Sequence, residues 1–310
     1  MVGCRAEVLE LAMSPGRLIY LVRRDLARGP KVAWFEHGVG RRIRRWRNPY
    51  AGGGVGEVPV HVLTGVEQFR MVLWMLASWF HFTGRNWQVV VHDDGTLGKH
   101  EEAELLTCVP QARLVWAKEA DREVQSGLRD LPLCRCYRER HPLARKLVDV
   151  PWLSSAERLI LLDADVLFFK RPVEILRWVD GASDGSSWFN EDFQEPSPVA
   201  PVEVEQALGF PLWPRVNSGV CLLDRATVDL KFCDEVMAKL DLLSRNLWRV
   251  EQFLLAVCAS RVGKGGLLPS EYEVSRGARR DPEGISRHYV GAVRDRFYAE
   301  GVRELARVLL

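Results

Sequence analysis

Two carboxylates one residue apart, Asp163 and Asp165, close an apolar run, Leu159-Ile160-Leu161-Leu162. Four apolar residues in succession are what a parallel strand buried on both faces produces. In an open α/β sheet, ligands gather at the carboxyl ends of the strands. The two acids would therefore stand where the chain leaves the sheet, able to share a hard divalent cation. A cation held there would bridge diphosphate oxygens and neutralise charge on a departing nucleoside diphosphate, as glycosyl transfer from an activated donor requires. An Asp-x-Asp triplet alone is weak, since about one is expected by chance in a chain of this length. Its context discriminates. Between Leu159 and Phe169 it places two ionisable groups in an otherwise apolar stretch, which is unfavourable without a cation or a wet cleft.

The elements that must position these acids follow from hydrophobic patterning. Residues 58–63 read as a short apolar strand, 66–82 as a long helix rich in Leu, Met and Trp, and 87–91 as a strand ending at His92-Asp93-Asp94-Gly95. Residues 101–106 read as helix, 112–116 as strand, 143–150 as helix and 159–162 as the strand that carries the acids. Beyond it, 172–179 reads as helix, 219–223 as strand, and 228–243 and 250–259 as helices. This alternation predicts an α/β fold with a mostly parallel sheet. Residues 180–201, rich in Gly, Ser, Pro and acids around the patch Trp188-Phe189-Asn190-Glu191-Asp192, are expected to be an active-site loop or lid. The breaker segment 48–57 is expected to be a linker, dividing a basic N-terminal extension, 1–57, from a catalytic domain, 58–310.

At this point the residues resemble a family. The segment around Asp163 and Asp165 resembles the metal-binding strand end of GT-A-fold glycosyltransferases. Later segments resemble the branch that includes glycogenin and the bacterial lipopolysaccharide galactosyltransferases (glycosyltransferase family 8). Val216-Asn217-Ser218-Gly219-Val220-Cys221-Leu222-Leu223-Asp224 resembles that branch's Asn-x-Gly-x-x-Leu-Leu-Asp entry. His288-Tyr289-Val290-Gly291-Ala292-Val293-Arg294 resembles its His-x-x-Gly-x-x-Lys signature, with Arg for Lys. Glu251-Gln252 stands where the branch tends to carry Asp-Gln, and Arg145-Lys146-Leu147 resembles the basic residue before the metal strand.

The resemblance spans roughly residues 58–298. It implies a GT-A (Rossmann-like), mostly parallel mixed sheet flanked by helices, and a hexosyltransferase using a nucleoside diphosphate-sugar, by family habit a UDP-sugar. Asp163, Asp165 and His288 would ligate Mn²⁺ or Mg²⁺; an imidazole with two carboxylates suits Mn²⁺. Lys146 and Arg294, with Gly291, would meet the donor's phosphates or sugar, though Arg145 competes with Lys146. Asn217 and Glu251 would meet sugar hydroxyls, and Thr64 with Asp93 or Asp94 would grip the nucleoside. The resemblance favours retention. An inverting route would need a carboxylate base, for which Glu191 and Asp192 are candidates.

Composition sets the remaining bounds. With 43 Lys and Arg against 41 Asp and Glu, nothing global points to nucleic acid. Residues 1–50 carry eleven basic and four acidic side chains. The run Arg41-Arg42-Ile43-Arg44-Arg45-Trp46-Arg47 mixes guanidinium groups with the apolar anchors Ile43 and Trp46, and suits a solvated basic tail, peripheral contact with anionic lipid, which would serve a lipid-linked acceptor, or a nucleic-acid arm; a glycan or protein acceptor is open as well. Seven cysteines in 310 residues do not make a disulfide framework, so the thiols are expected reduced. With neither a signal peptide nor an apolar run of about 18 residues, a cytoplasmic enzyme, peripheral to the membrane's inner face if the basic run binds lipid, is the expectation. Two other readings share the pattern. A haloacid-dehalogenase-type phosphatase or phosphotransferase also begins with an apolar strand and Asp-x-Asp, but Leu167 stands where its Thr or Val belongs, and His92 where the second copy, Asp93-Asp94-Gly95-Thr96-Leu97, needs its nucleophile. A non-catalytic nucleotide-sugar binding protein would keep the same scaffold.

Overall fold

A computed structural model describes residues 23, 28–275 and 283–310. Of the basic N-terminal stretch, residues 1–22 and 24–27 lie outside the described residues. The strands are β1 (Val60–Thr64), β2 (Val89–Asp93), β3 (Arg113–Val115), β4 (Arg158–Leu162), β5 (Val166–Phe168), β6 (Ser187–Glu191), β7 (Val216–Asp224), β8 (Gly265–Leu267), β9 (Tyr272–Val274) and β10 (Ser286–His288). A seven-stranded sheet runs in the order β3-β2-β1-β4-β7-β6-β8, and a three-stranded sheet in the order β5-β10-β9. In the large sheet every neighbouring pair is parallel except the two made by β7, which runs antiparallel to both β4 and β6. This is the mostly parallel mixed sheet expected.

Helices α1 (Pro30–His37), α2 (Phe69–Thr83), α3 (Lys99–Cys108), α4 (Ala117–Gly127), α5 (Pro132–Arg140), α6 (Ala144–Leu153), α7 (Val173–Asp180), α8 (Pro201–Leu208), α9 (Leu230–Lys239), α10 (Val250–Val262) and α11 (Arg303–Leu309) connect and flank the sheets. Strand β4 shows why the layers form. Its Ile160 and Leu162 enter one core with Trp74, Trp79 and Phe168, while Leu159 and Leu161 enter a second with Leu147, Phe253 and Leu254. A strand apolar on both faces thus needs a helical layer on each side. Helix α2 is almost wholly buried and stops at Gly84, whose φ of 66° makes the left-handed cap.

Two expectations change. Residues 180–201 are not simply a loop, because β6 lies within them as an inner strand between β7 and β8. Its short Ser-Trp-Phe-Asn-Glu sequence is framed by Gly, Ser and Pro, so the turn residues masked it. In the run 41–47, Ile43 and Trp46 are not free anchors: they are buried in the protein's own core, leaving Arg41, Arg42, Arg44, Arg45 and Arg47 exposed. Helix α1 adds an exposed Trp34.

The pairing of β6 with β7 is irregular close to the two acids. Phe189 pairs with Cys221, but its neighbour Asn190 pairs with Asn217. Residues 218–220 therefore oppose no residue of β6. Bulges of this kind bend a strand and re-aim its side chains, and this one lies beside Asp163, whose N–H donates to the Gly219 carbonyl at 2.9 Å.

Candidate metal centre

The two acids stand where the patterning places them, on the turn between β4 and β5. His288 arrives from far along the chain because β10 pairs antiparallel with β5, setting His288 opposite Val166, and the Tyr289 N–H bonds the Asp165 carbonyl. One donor atom from each of Asp163, Asp165 and His288 falls within 4.8 Å of the others. His288 Nε2 is 3.1 Å from Asp165 Oδ1 and 3.6 Å from Asp163 Oδ2.

The outer oxygens of the same carboxylates are each held by a cation. Lys146 Nζ is 2.8 Å from Asp163 Oδ1. The Arg294 guanidinium donates to Asp165 Oδ2 from Nε at 3.0 Å and from Nη2 at 2.8 Å. Each acid thus turns one oxygen toward His288 and has the other fixed, which pre-orients the inward pair. Burial would raise the Asp165 pKa, but His288 and Arg294 outweigh it and hold the group at about 2. For His288 burial works against the charged form, and the Asp165 and Asp163 carboxylates prevail, so its pKa is raised. The site is electrostatically built for a positive charge among these three side chains. Two hard oxygens and one imidazole nitrogen are a donor set that fits Mn²⁺, and Mg²⁺ less closely.

Strand β7 and helix α10 supply the surround. Asn217 Oδ1 is 2.9 Å from His288 Nδ1, and its Nδ2 donates to Asp192 Oδ2 at 2.8 Å. Ser218 Oγ donates to Glu251 Oε2 at 3.0 Å and lies 3.1 Å from Lys146 Nζ, which is also 3.3 Å from Glu251 Oε1. Lys146 and Glu251 are both buried. Burial disfavours the Lys146 ammonium, yet Asp163 and Glu251 outweigh it and raise its pKa. At Gly219 a Cβ would lie 2.2 Å from His288 Nδ1, so only glycine lets the imidazole rest on β7.

The other sequence candidates separate. Arg145 bonds Asp149 and Asp121 instead of entering the centre. Thr64 and Asp93 pair across β1 and β2 at the strand ends. Asp93 accepts from the N–H groups of Gly95, Leu97 and Ala117, so its carboxylate ties the loop into α3 to the first residue of α4, while the Asp94 carboxylate accepts from Thr96. Glu191 is ion-paired with Arg215. Gly291 opens the short helical turn that brings Arg294 to Asp165, with open space where a side chain would project. Ser218 and Gly219 were visible only as parts of a motif. A glycine inside an apolar strand was the available signal for close approach by another group.

No family model and no curated protein matches the sequence. Solved structures do match. The bifunctional glycosyltransferase WbbM, in its apo form, is 13% identical with a TM-score of 0.50 over 76% of this chain; the match covers 46% of WbbM, so the chain spans less than half of that protein. The galactosyltransferase LgtC, in complex with donor and acceptor sugar analogs, is 14% identical with a TM-score of 0.50 over 81% of this chain and 96% of LgtC. The chain has the GT-A fold of these glycosyltransferases, the fold that its motifs resemble.

Proposed function

We propose that the protein is a metal-dependent glycosyltransferase that moves a hexose from a nucleoside diphosphate-sugar, a UDP-sugar being the first donor to test, to an acceptor hydroxyl. The convergence of Asp163, Asp165 and His288 at the end of β4 carries this reading. When bound, a divalent cation would neutralise the diphosphate leaving group. The chain's own residues orient the ligands: Lys146 and Arg294 hold the outer carboxylate oxygens, and the buried β7 backbone seats the imidazole. Retention is supported by the carboxylates nearby, since Glu191 is paired with Arg215, Asp192 with Asn217, and Glu251 with Lys146 and Ser218. None stands free as a strong base, which a retaining route does not require.

The test is a panel of UDP-, GDP- and ADP-sugars with and without Mn²⁺, read by thermal shift and by release of nucleoside diphosphate. A donor that binds the native state raises the melting temperature. Asp165→Ala should abolish the Mn²⁺-dependent turnover. No turnover with any donor, or an Asp165→Ala enzyme of full activity, would overturn the proposal.

Among the described residues no helix is long and apolar enough to cross a membrane. We propose that any lipid contact is electrostatic, through the exposed Arg41, Arg42 and Arg45 at the inner face of a membrane. Ile43 and Trp46 are occupied within the protein core.

A further inference from the structure

Asn217 lies between two groups that each accept only one kind of partner. The Gly219 N–H, a donor, is 2.9 Å from Asn217 Oδ1, and the Asp192 carboxylate, an acceptor, is 2.8 Å from Nδ2. Chemistry therefore fixes the amide orientation. A flipped amide would set NH₂ against N–H and carbonyl against carboxylate. The same Oδ1 lies 2.9 Å from His288 Nδ1. An oxygen can only accept, so Nδ1 must carry a proton. All three side chains are buried, at 3% exposure for Asn217, 8% for Asp192 and 6% for His288, so water does not readily replace any of these bonds.

One consequence concerns the other ring nitrogen. With Nδ1 protonated, the neutral imidazole aims its Nε2 lone pair at Asp163 Oδ2 and Asp165 Oδ1. Three such atoms facing one another need a positive charge among them, supplied by a proton on Nε2 or by a cation that takes the proton's place. Gly219 adds a second constraint, because its missing Cβ is what lets the ring lie here at all.

We infer that Asp192 and Asn217 form a relay that sets the His288 tautomer and so makes Nε2 a ligand for the cation. The inference rests on the metal-dependent reading above. Both are positioning residues. Asp192 orients Asn217, and Asn217 holds the Nδ1 proton; Asp192 is thereby engaged and does not serve as a base. Partners that fix the tautomer of a ligating histidine typically change metal affinity 10- to 100-fold when removed.

The test uses the full chain and Mn²⁺ alone, with binding read by electron paramagnetic resonance. Asn217→Ala should weaken Mn²⁺ binding about 10- to 100-fold. The exchanged pair Asp192→Asn with Asn217→Asp offers His288 Nδ1 an acceptor again, with the new amide donating to it, and should recover affinity to within a few-fold of wild type. Because the exchange would also restore a purely structural bond between positions 192 and 217, the proton's place on the ring is read separately. Independently, long-range ¹H–¹⁵N spectra of the wild-type protein loaded with diamagnetic Cd²⁺ should place the His288 proton on Nδ1. Should Asn217→Ala fail to fold, the exchanged pair and the wild-type spectrum still decide. A proton on Nε2, a folded exchanged pair that binds as weakly as Asn217→Ala, or an Asn217→Ala protein with wild-type affinity would overturn the relay while leaving the metal centre intact. A wild-type protein that binds no Mn²⁺ would overturn both.

Discussion

Acid should unfold this protein through two buried histidines that are not part of the metal centre. His61 on β1 and His92 on β2 are 1% and 2% exposed, stacked on one another, with His61 Nδ1 2.9 Å from His92 Nε2. Burial first, and Arg113 second, lower the His61 pKa from 6.5 to about 3; burial, then His61, also pulls His92 well down. Both rings are therefore neutral in the folded protein at pH 5, whereas in the unfolded chain they protonate near pH 6.5. The unfolded state then binds more protons, so stability falls as pH drops below about 6.5, and the loss continues toward the folded pKa. For His61 the slope approaches about 1.4 kcal/mol per pH unit, a loss of about 2 kcal/mol between pH 7 and pH 5, and His92, shifted in the same direction, adds to it.

The perturbation is the double variant His61→Asn with His92→Gln, whose amides can keep a hydrogen bond between the strands but do not titrate. Urea unfolding at pH 5, 6 and 7 gives the stability of each protein. Wild type should lose at least about 2 kcal/mol more than the variant across this range, a sizeable share of a typical domain's total stability. Parallel pH dependences for the two proteins would refute the reasoning, because they would mean that the buried pair takes no part in acid unfolding.

Other outcomes rest on contacts at the metal centre and on the basic surface. Lys146→Met strands the buried Glu251 and takes the cation from the partly exposed Asp163, and should cost about 3–5 kcal/mol in urea unfolding. Gly219→Ala drives a methyl into the His288 ring; Mn²⁺ binding by electron paramagnetic resonance should fall at least about tenfold, with a stability loss of about 1–3 kcal/mol from overpacking. Reversing Arg41, Arg42 and Arg45 to Glu should abolish sedimentation with vesicles containing phosphatidylserine while leaving the melting temperature near wild type, and added salt should weaken the wild-type binding.

What the sequence disclosed was what depends on neighbouring residues. Strand β4 and its terminal acids were legible because Leu159–Leu162 is apolar on both faces and Asp163 comes at once after it. His288 was legible only through the spacing to Gly291 and Arg294, a resemblance and not a local signal. The separate duties of Asn217, Ser218 and Gly219 were hidden, since they arise from a bulge that exists only when β6 and β7 pair. Asp93 shows the reverse: an acid at a strand end looks like a ligand-binding group, yet its oxygens accept two backbone N–H groups of the loop that it begins and a third at the start of α4. The strands β5, β9 and β10 are three residues each, too short for any periodicity to show.

The pairing of β10 with β5 has a consequence for assembly. His288 lies 123 positions after Asp165 (288 − 165), so the two meet only after a large loop closes and the small sheet zips, a non-local event that folds late. Until then β4 ends in two acids with no imidazole beside them. A cation that needs all three donors would therefore report completed docking of the C-terminal segment and, by binding only that state, latch it in place. Metal affinity and the lifetime of the β5-β10 junction would then be two readings of one equilibrium, measurable by hydrogen exchange at the Tyr289 amide with and without the ion.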